Sequence, residues 1–149
     1  MKLSLKKKTV IIDIHEGFVD PKELEPGSEI PDVVFKVKVE LPGKDTIQNK
    51  LMECKKKSLV YGTNPETGKM ESVVHEEFDY VKYVTSRCVA EIKEFIDGPV
   101  DDDDNVVEAN KDNITLLCRL HTPIMTHIIN MIDKVAGLTE EEMGVAAKN

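Results

Sequence analysis

The chain has 149 residues, enough for one domain with a hydrophobic core, and with 40% hydrophobic and 32% charged residues it is too apolar for general disorder. A net charge of −8, from 28 acidic against 20 basic residues, repels a phosphate backbone and argues against nucleic-acid binding; it suits solubility and a basic partner. No stretch approaches the roughly 18 continuous apolar residues of a membrane span, residues 1–8 do not lead into a signal-peptide core, and the unpaired Cys54, Cys88 and Cys118 read as reduced thiols of a cytoplasmic protein.

In chain order, residues 1–75 read as strand-rich and 78–138 as helical. The β-branched run 9–14 is a predicted strand ended by Glu16 and Gly17. Residues 18–31 carry Pro21, Pro26, Gly27 and Pro31 among acidic residues and are a predicted loop. Val33, Phe35, Val37, Val39 and Leu41 then alternate with Lys36, Lys38 and Glu40, the pattern of a half-buried strand with one wet face. Pro42 and Gly43 close it. Asp45 is a candidate N-cap for a short helix, with Gln48 as its reciprocal partner and Ile47, Leu51 and Cys54 as its stripe. Residues 58–62 and 70–75 read as two short strands joined through the turn residues Asn64, Pro65 and Gly68, hence a hairpin.

Val81, Val84, Cys88, Ile92 and Phe95 recur three or four apart, which predicts a helix over 81–96 with all five on one face. Asp79 is its N-cap, and Gly98 with Pro99 its stop. Residues 101–105 form an acidic loop. Ile114, Leu117 and Leu120 begin another helical face, interrupted at Pro123, with Thr122 as the cap of the next helix. Ile124, Ile128, Met131 and Val135 form that helix's stripe, ended by Gly137. Residues 139–149 read as a flexible tail, where Thr139 and Glu142 have the spacing of a capping box for a last turn. The expected fold is a single α+β domain over 1–149, a small antiparallel sheet packed beside a helical second half.

Motifs with chemistry are sparse. His121 and His127 lie about 240° apart around a continuous helix, and no CxxC, HExxH or close Cys/His cluster accompanies them or His15 and His75. Asp101, Asp103 and Asn105 have the one-three-five spacing of a calcium loop. Val106 stands where the sharp turn needs Gly, and Asp112 where a bidentate Glu is needed, so a solvated acidic loop is the better reading. Lys44 follows Gly43 without the first Gly of a phosphate loop. Ser72 and His75 fall on opposite faces of a strand. No catalytic, cofactor or metal residue is assigned, and a non-enzyme is preferred. One surface goes beyond a bland core: Met125, Ile128, Ile129, Met131 and Ile132 make the last helix's apolar face wider than one stripe. That fits partner binding or a homo-oligomer contact, and a helix buried on two sides explains it equally well.

The order of these features resembles the tail assembly chaperones of long-tailed phages and prophages. The resemblance spans about residues 30–138. It rests on the strand at 33–41, and on the hairpin ending in His75, Glu76, Glu77, Phe78, Asp79 and Tyr80. Further along it rests on the helix closing as Phe95, Ile96, Asp97, Gly98, on the acidic linker, and on the helix opening at Asn110 and broken at Pro123. Phe95 stands where the family often has Trp. The resemblance implies a protein that binds the tape-measure protein and tail-tube subunits during tail morphogenesis in the host cytoplasm. It also implies a frameshifted extended product, with which the terminal Ala147, Lys148 and Asn149 are compatible. The competing expectations are a structural tail-completion or head–tail joining protein, and a small enzyme or regulatory domain.

Overall fold

The alternating segment becomes the middle strand of a three-stranded antiparallel sheet. The computed structural model describes residues 7–137, so the expected tail and its last turn lie outside the described residues. Strand β1 (Thr9–His15) pairs with β2 (Val33–Glu40), Ile12 opposite Val37 and Ile14 opposite Phe35. Ile12, Ile14, Phe35, Val37 and Val39 face the core, while Asp13, Lys36 and Lys38 face water. The connection between them is the predicted loop, tightened by single 3-10 turns at Glu16–Phe18 and Pro21–Glu23. It is tied down by Lys134, whose Nζ lies 2.8 Å from Asp20 Oδ2 and 2.7 Å from Glu23 Oε1.

The third strand corrects the sequence reading. The predicted helix over 81–96 is helix α2 only over Tyr80–Glu91, capped by Asp79 as expected, and the chain then continues as strand β5 (Ile92–Ile96). β5 pairs with β2, Phe95 opposite Val37 and Ile92 opposite Val39, with Lys93 left as the extra residue of a bulge. A regular strand would send residues three apart to opposite faces, and the bulge lets both Ile92 and Phe95 enter the core. The free edge of β2 supplies the competing force, because its unpaired N–H and C=O groups are satisfied by residues 92–96. Gly98 ends β5 at φ 149, where an added Cβ would sit 3.3 Å from Phe35 Cβ.

Helices α1 (Lys44–Glu53), α3 (Lys111–Leu120) and α4 (Thr122–Val135) complete the fold. Gly43, not Asp45, is the N-cap of α1; Asp45 sits in its first turn, where a carboxylate favours the helix dipole. Asn110 caps α3 through Asn113 N–H at 2.8 Å. The buried face of α3 is Ile114 and Cys118 with Leu117 half-buried, and Leu120 points to solvent, contrary to the expected stripe. Thr122 does not cap α4. Its hydroxyl donates back to the Cys118 carbonyl at 2.7 Å, and His121 is the cap residue. The acidic loop is a closed turn, with Asp101 Oδ1 accepting from the amides of Asp103 (2.9 Å) and Asn105 (3.0 Å).

A buried ionic cluster ties α2 to α4. Arg87 is fully buried; its Nε and Nη2 donate to Glu91 Oε2 and Oε1 at 2.9 and 2.7 Å. Its Nη1 lies 2.7 Å from Asp133 Oδ1 and donates to Tyr83 Oη at 3.2 Å. Burial pushes the carboxyls of Glu91 and Asp133 above the usual range although Arg87 opposes it, and the two carboxylates hold the guanidinium charged throughout the working pH range. One cation faces two anions, so the cluster carries a surplus negative charge when all three ionise. The stability linked to Glu91 and Asp133 is complete below the ordinary carboxylate pKa values and is lost as pH rises through their raised values. Replacing Arg87 with Met is expected to cost about 3–5 kcal/mol in urea unfolding, because two carboxylates stay buried without a counter-ion. Asp133→Asn leaves a balanced pair, so it is expected to cost far less and to flatten the decline in stability between the carboxylate range and neutral pH.

Candidate functional site

The face assigned to partner binding is core. Met125, Ile128, Ile129 and Ile132 are all 3% exposed or less, and Met131 is half-buried. The reason is packing on two sides: β1 lies against α4 on one side, α2 and α3 on the other. A helix sandwiched in this way needs an apolar arc wider than one stripe, so the width reports burial rather than a docking face.

A run of exposed apolar side chains lies instead on the hairpin. Strand β3 (Lys55–Thr63) pairs with β4 (Met70–Phe78) over all nine residues of each, longer than the segments expected from sequence. The added rungs at the root set Lys56 opposite Glu77 and Lys57 opposite Glu76, pairs whose opposite charges favour the ladder. The turn forms as its residues dictate: Asn64 Oδ1 accepts from Glu66 N–H at 2.9 Å, and Gly68 adopts φ 68. Every residue of both strands is exposed except Gly62, which is half-buried.

The two faces of this ribbon differ. Directly paired residues share a face, so one carries Lys57 with Glu76, Leu59 with Val74, Tyr61 with Ser72, and Thr63 with Met70. The other carries Lys56 with Glu77, Ser58 with His75, Gly62 with Glu71, and only Val60 with Val73 as an apolar pair. The first face is therefore greasy along its outer half, with Leu59 72%, Tyr61 77%, Val74 62% and Met70 70% exposed. Nothing in the described residues covers it.

The root is firmly held. Asp79 N–H donates to the carbonyl of buried Cys54 at 2.8 Å, and Lys56 Nζ lies 3.6 Å from Asp79 Oδ2. The Phe78 ring packs 5.6 Å from Tyr83 and 6.3 Å from Tyr80, centroid to centroid. Through Tyr83 the hairpin root therefore touches the Arg87 cluster. The sequence pointed to strands here but not to their exposure. The available signal was the register itself, since Leu59, Tyr61, Met70 and Val74 fall on one face only when the two strands pair across the turn at 64–69.

Two further surfaces are concave. A groove of about 610 Å³ between α1, α2 and α3 is lined by Lys50, Lys82, Lys111 and Arg119 with Thr85 and Thr115. Lys50 Nζ is already engaged by Ser86, at 2.9 Å from its carbonyl and 3.0 Å from its hydroxyl. A cleft of about 390 Å³ between the 16–24 loop and α4 holds His127, Phe18 and Lys134. Burial, aided by Lys134, pulls the His127 pKa below its ordinary value, and its ring lies 5.9 Å from Phe18. The four histidines are dispersed: His15 bonds to the Pro31 carbonyl at 2.7 Å, His75 to Glu77 at 2.9 Å, His121 caps α4, and His127 lines the cleft. Ser72 and His75 lie on opposite faces of β4.

No family model matches the chain, and neither curated proteins nor solved structures give a match. Among the described residues no helix is long and apolar enough to cross a membrane.

Burial separates the two apolar surfaces in a measurable way. Ile128→Ala is expected to cost about 2–5 kcal/mol in chemical denaturation because it opens a core cavity. Tyr61→Ser is expected to change stability by no more than about 0.5 kcal/mol, since the side chain buries almost nothing.

Proposed function

We propose that this chain is a non-enzymatic tail assembly chaperone of a phage or prophage, acting in the host cytoplasm. It escorts the tape-measure protein until tail-tube subunits assemble around it, and the apolar face of the β3–β4 hairpin is the surface that engages the cargo. The observation that supports this reading is that face, formed by Leu59, Tyr61, Met70 and Val74 and left uncovered. An escort for a long amphipathic polypeptide needs such a combination. Apolar side chains stand ready to cover the cargo's own apolar stripe, on a carrier whose net charge of −8 keeps the complex soluble.

The ribbon suits this task better than the concave sites do. A helical cargo lying along it would meet apolar side chains over the outer half of strands about 30 Å long. Near the root it would meet the alternating charges of Lys57 and Glu76. Burial of the four exposed side chains supplies the affinity, and the polar pairs set the limit of the contact.

Co-expression with the cognate tape-measure protein tests the reading. The wild-type chain is expected to keep that protein soluble and to co-purify with it, while Leu59→Ser combined with Tyr61→Ser abolishes recovery without unfolding the chaperone. Equal recovery with the double variant would refute the hairpin as the docking surface. Retention of the chain in finished particles, seen by mass spectrometry, would instead indicate a structural tail part.

A further inference from the structure

We propose that the hairpin pairs with that of a second copy of this chain, β3 against β3, antiparallel about a two-fold axis through Leu59. The result is a four-stranded sheet in the order β4-β3-β3-β4. The proposal uses the backbone edge of β3 rather than a cargo's side chains, so it stands apart from the tail-assembly reading.

The first ground is the edge itself. β3 and β4 form a sheet of two strands, so one row of backbone N–H and C=O groups on β3 has no strand beside it. A two-stranded ribbon in water is marginal, and three or more strands with an apolar face are what give such a sheet its own stability. An open edge of this length invites another strand.

The second ground is charge, and it selects the partner. Leu59 is the middle residue of β3. Full overlap about it sets Lys55 opposite Thr63, Lys56 opposite Gly62, and Lys57 opposite Tyr61, with no like charges facing each other. Full overlap of β4 with itself about its middle residue, Val74, sets Glu71 opposite Glu77 twice, which is unfavourable. Sliding β4 to relieve that clash shortens the ladder and sets Met70 opposite Glu76.

The third ground is room. In the β3–β3 arrangement the two hairpins point in opposite directions, so the two bodies sit at opposite ends of the ladder. Antiparallel pairing of β3 with a second copy's β4 would place both bodies at the same end. There the strands are only about 4.8 Å apart, and α1 and α2 join the ribbon directly. The two-fold arrangement also closes on itself, whereas a β3–β4 contact repeats without end. It brings Leu59, Tyr61, Val74 and Met70 of both copies onto one side, doubling the apolar face.

The full chain with single substitutions tests this. Leu59→Cys should form a disulfide-linked dimer under mild oxidation, since residues directly opposite in antiparallel strands have Cα atoms about 4.5–5.5 Å apart, within the span a disulfide bridges. Val74→Cys should not, being three strands from its counterpart. In sedimentation, the wild-type chain should be a dimer at micromolar concentration. Leu59→Lys, which places two ammonium groups at the axis, should weaken the dimer by roughly tenfold or more, and Val74→Lys should leave it intact. Circular dichroism confirms that each variant is folded. A monomeric wild-type chain, a dimer indifferent to Leu59→Lys, or cross-linking at residue 74 instead of 59 would each overturn the proposal.

Discussion

The buried guanidinium of Arg87 is the constraint around which the helices are arranged. A cation with no contact to water is tolerable only where fixed carboxylates replace its hydration, and Glu91 and Asp133 do so at 2.7–2.9 Å. Glu91 lies one turn along on α2, but Asp133 belongs to α4, so the pairing sets both the approach and the rotation of these two helices. The same side chain meets the Tyr83 hydroxyl, and the Tyr83 ring meets Phe78 at the foot of the hairpin. A single desolvated charge thus links the sheet-backed helical core to the root of the projecting ribbon.

One set of aliphatic side chains fills the space between the three-stranded sheet and the helices, and includes the wide Met125–Ile132 face. Another is left on the ribbon, where the fold offers it no partner, and others, such as Ile30, Met52 and Leu120, are exposed elsewhere. The ribbon carries Lys55, Lys56 and Lys57 on one strand and Glu71, Glu76 and Glu77 on the other. All of these but Glu71 lie at the root, where they guard the inner half against indiscriminate association and leave the outer half as the place where apolar contact is favourable. The proposed binding role draws on that geometry and not on the concave surfaces.

Much of the architecture was legible in local pattern. The alternation of Phe35, Val37 and Val39 named the central strand and its buried face. Asp79 marked the start of α2, and Asn64, Pro65 and Gly68 marked the hairpin turn. The failures have two causes. Ile92 and Phe95 have a helical spacing, yet the need of β2, some fifty residues back, for a second neighbour drew them into a bulged strand and outweighed a local preference of about a few tenths of a kcal/mol per residue. Thr122 has the chemistry of a cap, yet its hydroxyl bonds the Cys118 carbonyl one turn back, so one local hydrogen bond displaced another.

By itself, the sequence determined the class of the fold, the periodicity of its elements and the positions of most turns, because these depend on residues within a few places of one another. It could not tell which apolar surfaces would be covered. Met125, Ile128, Ile129 and Ile132 and, on the hairpin, Leu59, Tyr61, Met70 and Val74 are both apolar sets at regular spacing, and Arg87 with Glu91 is spaced like any ion pair on a wet helix face. Tertiary packing sealed the first set and the ion pair inside and left the second set outside. Burial is a property of what lies opposite a residue in space, and that is set by segments distant along the chain, as β1 is from α4.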